Sequence, residues 1–105
     1  MRLDAVDAGL PEPELDAEVR SVQGRLLGIA DGRYRAYRVL IEVEGDHHRT
    51  DRRQWARDIE KHAAYAAAGY ETVRLTGIQI RHHPEQGVAL IRSALMRGGW
   101  VPDRR

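Results

Sequence analysis

Residues 39–48 read VLIEVEGDHH, and this stretch decides how the chain is interpreted. The run Val39-Leu40-Ile41 indicates a buried strand. Its continuation places Glu42 and Glu44 on one face, about 7 Å apart at a rise of about 3.3 Å per residue. Two carboxylates on a partly buried face repel each other and lose solvation. A divalent cation would offset that cost, so the pattern favours a site for a hard metal ion.

An ordinary solvent-facing strand is the alternative interpretation of the same residues. Alternating Glu-Val-Glu also fits a strand with its polar side chains in water and Val43 in the core. The strand is followed by Asp46 and by His47-His48, which favours the site because more potential ligands and proton carriers gather at its end. The other histidine pair, His82-His83, is predicted to lie on the surface.

Length and composition bound the class of protein. The 105 residues predict one small domain spanning 1–105, with 98–105 as a short tail. The chain has no cysteine, which excludes disulfides, thiolate zinc sites and cysteine nucleophiles. There is no apolar run of about 20 residues and no signal-peptide pattern, so no membrane partner is expected and a cytoplasmic location is the default.

The basic residues are almost all arginine, and Lys61 is the only lysine. A net charge of +1 does not by itself indicate a nucleic-acid partner. Arginine predominance can also reflect genome composition alone. Nevertheless, the guanidinium group suits phosphate geometry, and several arginines follow the acidic stretch where they could form a phosphate-binding rim: Arg49, Arg52, Arg53 and Arg57.

The pattern of apolar residues predicts an α/β fold. Strands are expected over 14–22, 25–30, 37–44 and 70–76, with one helix from about Thr50 to before Gly69 and a second beginning at Pro84. Residues 1–8 have the pattern of a helix end, and 32–36 and 77–83 are predicted connectors. The order gives a mixed central sheet of about four strands flanked by helices: a three-strand antiparallel meander, then a strand–helix–strand crossover.

Adjacent strands would bring further oxygen ligands to the acidic pair. Asp31 lies at or just beyond the end of one strand, and Glu42 and Glu44 lie on the next. Antiparallel pairing of these two strands can therefore bring Asp31, Glu42 and Glu44 together, with the Val43 carbonyl as another oxygen. Such oxygen-rich ligation suits Mg²⁺ or Mn²⁺ rather than zinc. His48 could transfer a proton or orient water.

The helix that follows offers two charged residues and two aromatic ones. Lys61 could reach the acidic face, although an exposed position is its expected place. Asp58 is expected to pair with Arg57 or Arg74. Trp55 and Tyr65, at helical spacing, are predicted to lie in the core.

Several spaced motifs in residues 3–95 resemble a known domain family. The family pattern is approximately an aspartate after a strand, a strand ending E-x-D-G-x-x-H, an Arg-Asp pair on a helix and a G-(W/Y)-x-V-x-R strand. The corresponding residues here are Asp31, EVEGDHH (42–48), Arg57-Asp58 and GYETVR (69–74). In this order they resemble a bacterial domain family of unknown function related to the very-short-patch-repair endonucleases. That group belongs to the PD-(D/E)xK, or restriction-endonuclease-like, superfamily. The chain departs from the pattern at Ala30, where relatives have proline, and at Glu44, where they usually have aspartate.

The resemblance implies a restriction-endonuclease-like fold and a set of site residues. Asp31 and Glu42 would be metal ligands, and Glu44 would occupy the position of the superfamily lysine, where some restriction enzymes also carry glutamate. His48 would help to activate water or stabilise the leaving group, and Asp58 would be a supporting acidic residue. Relatives carry an upstream helix with a glutamate, so the N-terminal helix of this chain is expected to be truncated.

Together these features predict a metal-dependent DNA endonuclease that hydrolyses phosphodiester bonds with Mg²⁺ or Mn²⁺. Double-stranded DNA is the expected substrate, held through its phosphates by Arg49, Arg52 and Arg53. A catalytically silent DNA- or protein-binding module on the same fold is the alternative. A hydrolase acting on another phosphoester is a third, and both monomer and homodimer are open.

Overall fold

The computed structural model describes residues 5–6, 8–44 and 52–102. They form an α/β domain with a four-stranded mixed sheet, as the sequence predicted, and three α-helices, one of which was not predicted. The elements are β1 (Glu14–Arg20), β2 (Leu26–Tyr34), β3 (Val39–Glu44), α1 (Arg52–Ala67), β4 (Glu71–Thr76), α2 (Gly77–His82) and α3 (Pro84–Arg97). The sheet order is β1-β2-β3-β4; the β1–β2 and β2–β3 pairs are antiparallel, and the β3–β4 pair is parallel.

The sheet separates two apolar clusters because side chains of a strand alternate between its faces. On one side, Leu40 packs with Tyr65 of α1. On the other side, Val39 and Ile41 pack with Ile91 and other residues of α3. Glu42, two residues after Leu40, therefore points to the α1 side of the sheet.

Two predicted connectors are regular structure instead. β2 continues through residues 32–34, and α2 occupies most of 77–83. α2 begins with a capping box in which the Thr76 hydroxyl accepts from the Gln79 backbone N–H and the Gln79 side chain accepts from the Thr76 N–H. These bonds satisfy backbone donors that would otherwise lack partners in the first turn.

The two aromatic residues of α1 differ in their environment. Tyr65 is fully buried, as predicted, whereas Trp55 is 63% exposed and the prediction of a core position for it is wrong. All residues from Arg52 to Arg57 are exposed, so the first turns of α1 extend beyond the part of the sheet that buries Tyr65. Helical periodicity identified the helix but not how much of it would be covered.

Near Ala8, where the sequence predicts a helix end, the described residues form hydrogen-bonded turns. The Gly9 N–H donates to the Val6 carbonyl and the Leu10 N–H donates to the Ala5 carbonyl. This pair of bonds, with Gly9 at φ 84°, forms the glycine-dependent termination seen at many helix C-termini. Ala5 and Leu10 are buried in the α3-side cluster, which fixes this segment on the sheet.

β2 changes its side-chain phase at Asp31. Ala30 packs in the α1-side cluster, whereas Gly32 pairs with Ile41, whose side chain lies in the α3-side cluster. Strict alternation would place residues 30 and 32 on the same side. In β1, Asp16 stands at the same level and has a left-handed φ of 49°. The two irregularities bend the hairpin where Asp31 lies, a common feature beside functional sites.

Arg33 braces the irregular part of the hairpin. Its side chain is 9% exposed, and its guanidinium donates to the Glu18 carbonyl and to the Glu14 carboxylate, both at 2.7 Å. The hydrogen bond from Arg33 lowers the pKa of Glu14. The edge strand β1 is therefore tied to β2 by a buried cation as well as by its ladder.

Removing the Glu14 carboxylate should destabilise the fold because it leaves the buried Arg33 charge without its anionic partner. We expect Glu14→Ala to lower the free energy of unfolding by about 1–3 kcal/mol. Glu18→Ala, in the same strand, removes an exposed ion pair with Arg20 and should cost about 0–1 kcal/mol. Urea unfolding of both variants checks this. Equal losses would contradict the bracing role of Arg33.

Candidate active site

Asp31 lies next to Glu42 at the point where the β2–β3 ladder ends. The last paired residues are Gly32 and Ile41, and the next residues outward are Asp31 and Glu42. At this point the Asp31 carboxylate accepts a hydrogen bond of 2.7 Å from the Val43 backbone N–H. The side chain thus takes the place of a main-chain acceptor, which fixes one of its oxygens.

Glu42 is a buried carboxylate at 9% exposure. Burial raises its pKa, the Lys61 ammonium opposes that rise, and the negative charge of Asp31 adds to it. Its Oε1 is buried and accepts no hydrogen bond. A buried acceptor without a donor costs free energy, so the position of this side chain destabilises the fold.

Lys61 of α1 provides the positive charge nearest to Glu42. Its Nζ lies 3.5 Å from the Glu42 Oε1, which makes an ion pair at the limit of hydrogen-bond distance. About one-third of the Lys61 side chain is exposed. The sequence favoured an exposed lysine here. Its position four residues before the buried Tyr65 was the available signal, because residues so spaced share a helix face.

Tyr65 and His62 add two polar atoms to the same region. The Tyr65 hydroxyl is buried without a hydrogen-bond partner, and burial, reinforced by the charges of Glu42 and Asp31, raises its pKa to about 12. The His62 Nε2 is likewise buried and unpartnered, and its ring meets that of Tyr65 edge-on with centroids 6.1 Å apart. Sequence reasoning identified Tyr65 only as a core residue and did not single out His62.

Glu44 does not join the acidic pair. Its carboxylate binds the guanidinium of Arg74, which lies opposite Glu42 in the parallel β3–β4 register and therefore on the same side of the sheet. Within residues 5–6, 8–44 and 52–102, no three His, Asp or Glu side chains form a group able to hold a metal ion. The expected convergence of three carboxylates, with Asp31, Glu42 and Glu44 together, is thus corrected to a pair.

The other predicted site residues have different positions. Arg52 and Arg53 are exposed in the first turn of α1. Val43 contributes its backbone N–H to Asp31, as described above. His48 and Arg49 lie outside the described residues.

The residues present fit Mg²⁺ or Mn²⁺ as a partial ligand set. Mg²⁺ usually binds proteins through one or two carboxylates and completes its shell with water and substrate phosphates. Asp31 and Glu42 supply two such carboxylates, and an ion would replace the Lys61 ammonium as the positive charge beside the Glu42 Oε1. Hard oxygen donors without nitrogen or sulfur also favour these ions over zinc.

Comparisons with models of known protein families, with curated proteins and with solved structures found no match to this chain. The similarity to endonuclease-related domains therefore stays a prediction from the motifs. In the described part of the chain, no helix has the length and apolar character needed to cross a membrane.

The burial of Glu42 should make stability depend on pH. Because the folded-state pKa is raised, the folded protein binds this proton more tightly than the unfolded chain does. Stability is therefore lost as pH rises from the ordinary glutamate range, near 4.3, through the folded pKa. We expect Glu42→Gln to be more stable than the parent at pH 7.5 and to lose that advantage near pH 4, in urea unfolding with chelator present.

Glu71→Gln is a control of opposite sign. The hydrogen bond from Arg97 lowers the pKa of Glu71, so its contribution is present above the ordinary glutamate pKa and lost as pH falls through the folded pKa. Loss of this exposed ion pair should therefore make Glu71→Gln slightly less stable than the parent at pH 7.5, and the two proteins should be equally stable at low pH. If Glu42→Gln behaves like Glu71→Gln, Glu42 is not the unfavourably buried acid described here.

Proposed function

We propose that the protein is a Mg²⁺-dependent endonuclease that hydrolyses phosphodiester bonds of DNA, and that its sheet is a small restriction-endonuclease-like core. One observation carries the proposal. Two carboxylates from neighbouring strands, Asp31 and Glu42, stand at adjacent positions where the strand pairing ends, and the ammonium of Lys61 from the following helix lies 3.5 Å from Glu42. Acidic ligands beside a cationic side chain suit the negative charge of a phosphodiester and of its transition state.

Asp31 and Glu42 would hold the ion. Asp31 is positioned by its bond from Val43, and the raised pKa of Glu42 indicates a side chain that gains from a nearby positive charge. The bound ion would supply positive charge to the phosphate and favour hydroxide as the attacking group. Both side chains lie on paired strands of the sheet, which favours a pre-organised pair.

Lys61 takes the role for which the motif comparison had proposed Glu44. The ammonium, once released from Glu42, can bind a phosphate oxygen and stabilise the charge that develops on it. Glu44 is held by Arg74 and thereby keeps that arginine at the same end of the sheet. Proton transfer by Glu44 and His48 remains as predicted from the sequence.

The helix α1 offers a row of cations that leads to the acidic pair. At about 3.6 residues per turn, Arg57 lies about 40° around the helix from Lys61, Arg53 about 80° and Arg52 about 180°. Arg53 and Arg57 are exposed and therefore suited to phosphates of a strand entering the site. Arg52, on the opposite side of α1, is less suited than the sequence suggested.

A catalytically silent DNA-binding module is the second candidate. It is favoured by the ion pair with Lys61, which already compensates part of the charge on Glu42. Under this alternative the arginines of α1 bind DNA and no cleavage occurs with any metal ion. The same assays separate the two candidates.

The purified protein should cleave duplex DNA in the presence of Mg²⁺ or Mn²⁺ and lose that activity in chelator. Asp31→Asn retains an acceptor for the Val43 N–H, and Glu42→Gln retains the shape of Glu42; both should reduce cleavage to background. Lys61→Met should lower the rate about 100-fold, on the scale of removing one charge-stabilising group. Glu71→Gln, outside the site, should cleave at the parent rate.

Full activity in Asp31→Asn and Glu42→Gln would rule out the proposed site. DNA binding without metal-dependent cleavage by the parent protein would instead favour the silent module. Gel analysis of labelled duplexes, scored for both bound and cut DNA, reports both outcomes in one experiment.

DNA affinity should follow the helical positions of the arginines. We expect Arg57→Ala to weaken binding more than Arg52→Ala, because Arg57 shares the side of Lys61 and Arg52 does not. Because Arg57→Ala loses a phosphate contact, the slope of log affinity against log salt concentration should also fall in magnitude by about 1 for this variant. Fluorescence anisotropy with labelled duplex in chelator measures this. Equal losses for both variants would contradict the proposed track along α1.

A further inference from the structure

We infer that Tyr65 and His62 are positioning residues: their buried polar atoms, which have no partner in this structure, would bond the Glu42 carboxylate, directly or through water, once it turns toward a bound metal ion. This inference rests on the proposed function and adds to it two residues that the motifs do not include. It concerns atoms that the described contacts leave without partners.

The region contains one buried acceptor without a donor and two buried groups able to donate. The acceptor is the Glu42 Oε1; the other atoms are the Tyr65 hydroxyl and the His62 Nε2. Across the described residues, only four buried side-chain polar atoms lack a partner, and these are three of them. Because unsatisfied buried groups are rare and costly, their occurrence on Glu42 and on two α1 residues that neighbour Lys61 or each other points to a shared role.

Packing alone does not account for the Tyr65 hydroxyl. Phenylalanine would fill the same fully buried position without burying an unpaired polar group. The hydroxyl also requires a glycine opposite it, since a Cβ at Gly28 would clash with the Tyr65 hydroxyl oxygen. The chain thus uses a glycine in the middle of β2 to admit a polar atom that has no structural bond.

The two groups have the right chemistry for orienting a metal-binding carboxylate. A phenol donates one hydrogen bond, and an imidazole Nε2 donates in the appropriate tautomer. The Lys61 ammonium lies 5.9 Å from the Tyr65 ring centroid and 3.5 Å from the Glu42 Oε1, so Tyr65 and Glu42 are both neighbours of Lys61. Donors bonded to metal-binding carboxylates, directly or through water, typically raise metal affinity about 10–100-fold.

Tyr34 provides a matched control because it is the other tyrosine that is almost completely buried. Its hydroxyl donates to the Pro11 carbonyl at 2.9 Å, and burial raises its pKa to about 12, as for Tyr65. Tyr34 lies in the α3-side cluster, away from Glu42. The two residues differ in whether the hydroxyl has a partner in the fold.

The test compares Tyr65→Phe, Tyr34→Phe and the parent protein by thermal unfolding in chelator and by Mn²⁺ titration calorimetry. Tyr34→Phe should lower Tm by about 4–8 °C, because it loses a buried hydrogen bond, and should bind Mn²⁺ as the parent does. Tyr65→Phe should have a Tm equal to or above the parent's, yet its Mn²⁺ dissociation constant should rise about 10-fold or more. His62→Phe, which keeps a ring beside Tyr65, should weaken Mn²⁺ binding in the same direction.

Two results would overturn the inference alone: a fall in Tm for Tyr65→Phe as large as that for Tyr34→Phe, or parent-like Mn²⁺ affinity in Tyr65→Phe. The first would mean that the hydroxyl serves the fold, and the second that Glu42 does not depend on it. Failure of the parent protein to bind Mn²⁺ would instead remove the proposed function, and this inference with it.

Discussion

The hydrogen bond from the Val43 amide to the Asp31 carboxylate is the interaction on which the site depends. It lies one step beyond the last main-chain pair of β2 and β3, where the phase of β2 has changed. A side-chain acceptor there ends the ladder without leaving a buried N–H unsatisfied. The same bond fixes Asp31 beside Glu42, so the irregular strand and the acidic pair have one cause.

The site is unfavourable for the fold in several ways at once. Glu42 is desolvated and close to another negative charge, and the Tyr65 hydroxyl is buried without a bond. Lys61 compensates part of the charge but forms no hydrogen bond with the Glu42 Oε1. The apolar clusters on the two faces of the sheet supply the stability that allows this arrangement. Strain of this kind is typical of functional sites, where stability and activity are in conflict.

The sequence allowed the sheet and the two acidic residues to be predicted because period-2 alternation and short connections determine strand neighbours. It did not reveal that Glu44 would bind Arg74, since that contact depends on the register of the parallel β3–β4 pair. The missed helix α2 had a readable signal, the Thr76–Gln79 capping box. The inward position of Lys61 could also have been predicted, because its helical spacing from the buried Tyr65 places both residues on one face of α1. The exposure of Trp55 could not, because the length of α1 that packs on the sheet depends on tertiary structure.

The most direct test of the account is anomalous diffraction from crystals soaked in Mn²⁺, recorded at the manganese absorption edge. The account predicts a peak in contact with one carboxylate oxygen of Asp31 and one of Glu42, with the Lys61 ammonium displaced from Glu42. An absence of any peak at saturating Mn²⁺, or a peak elsewhere with the Lys61–Glu42 pair intact, would contradict it.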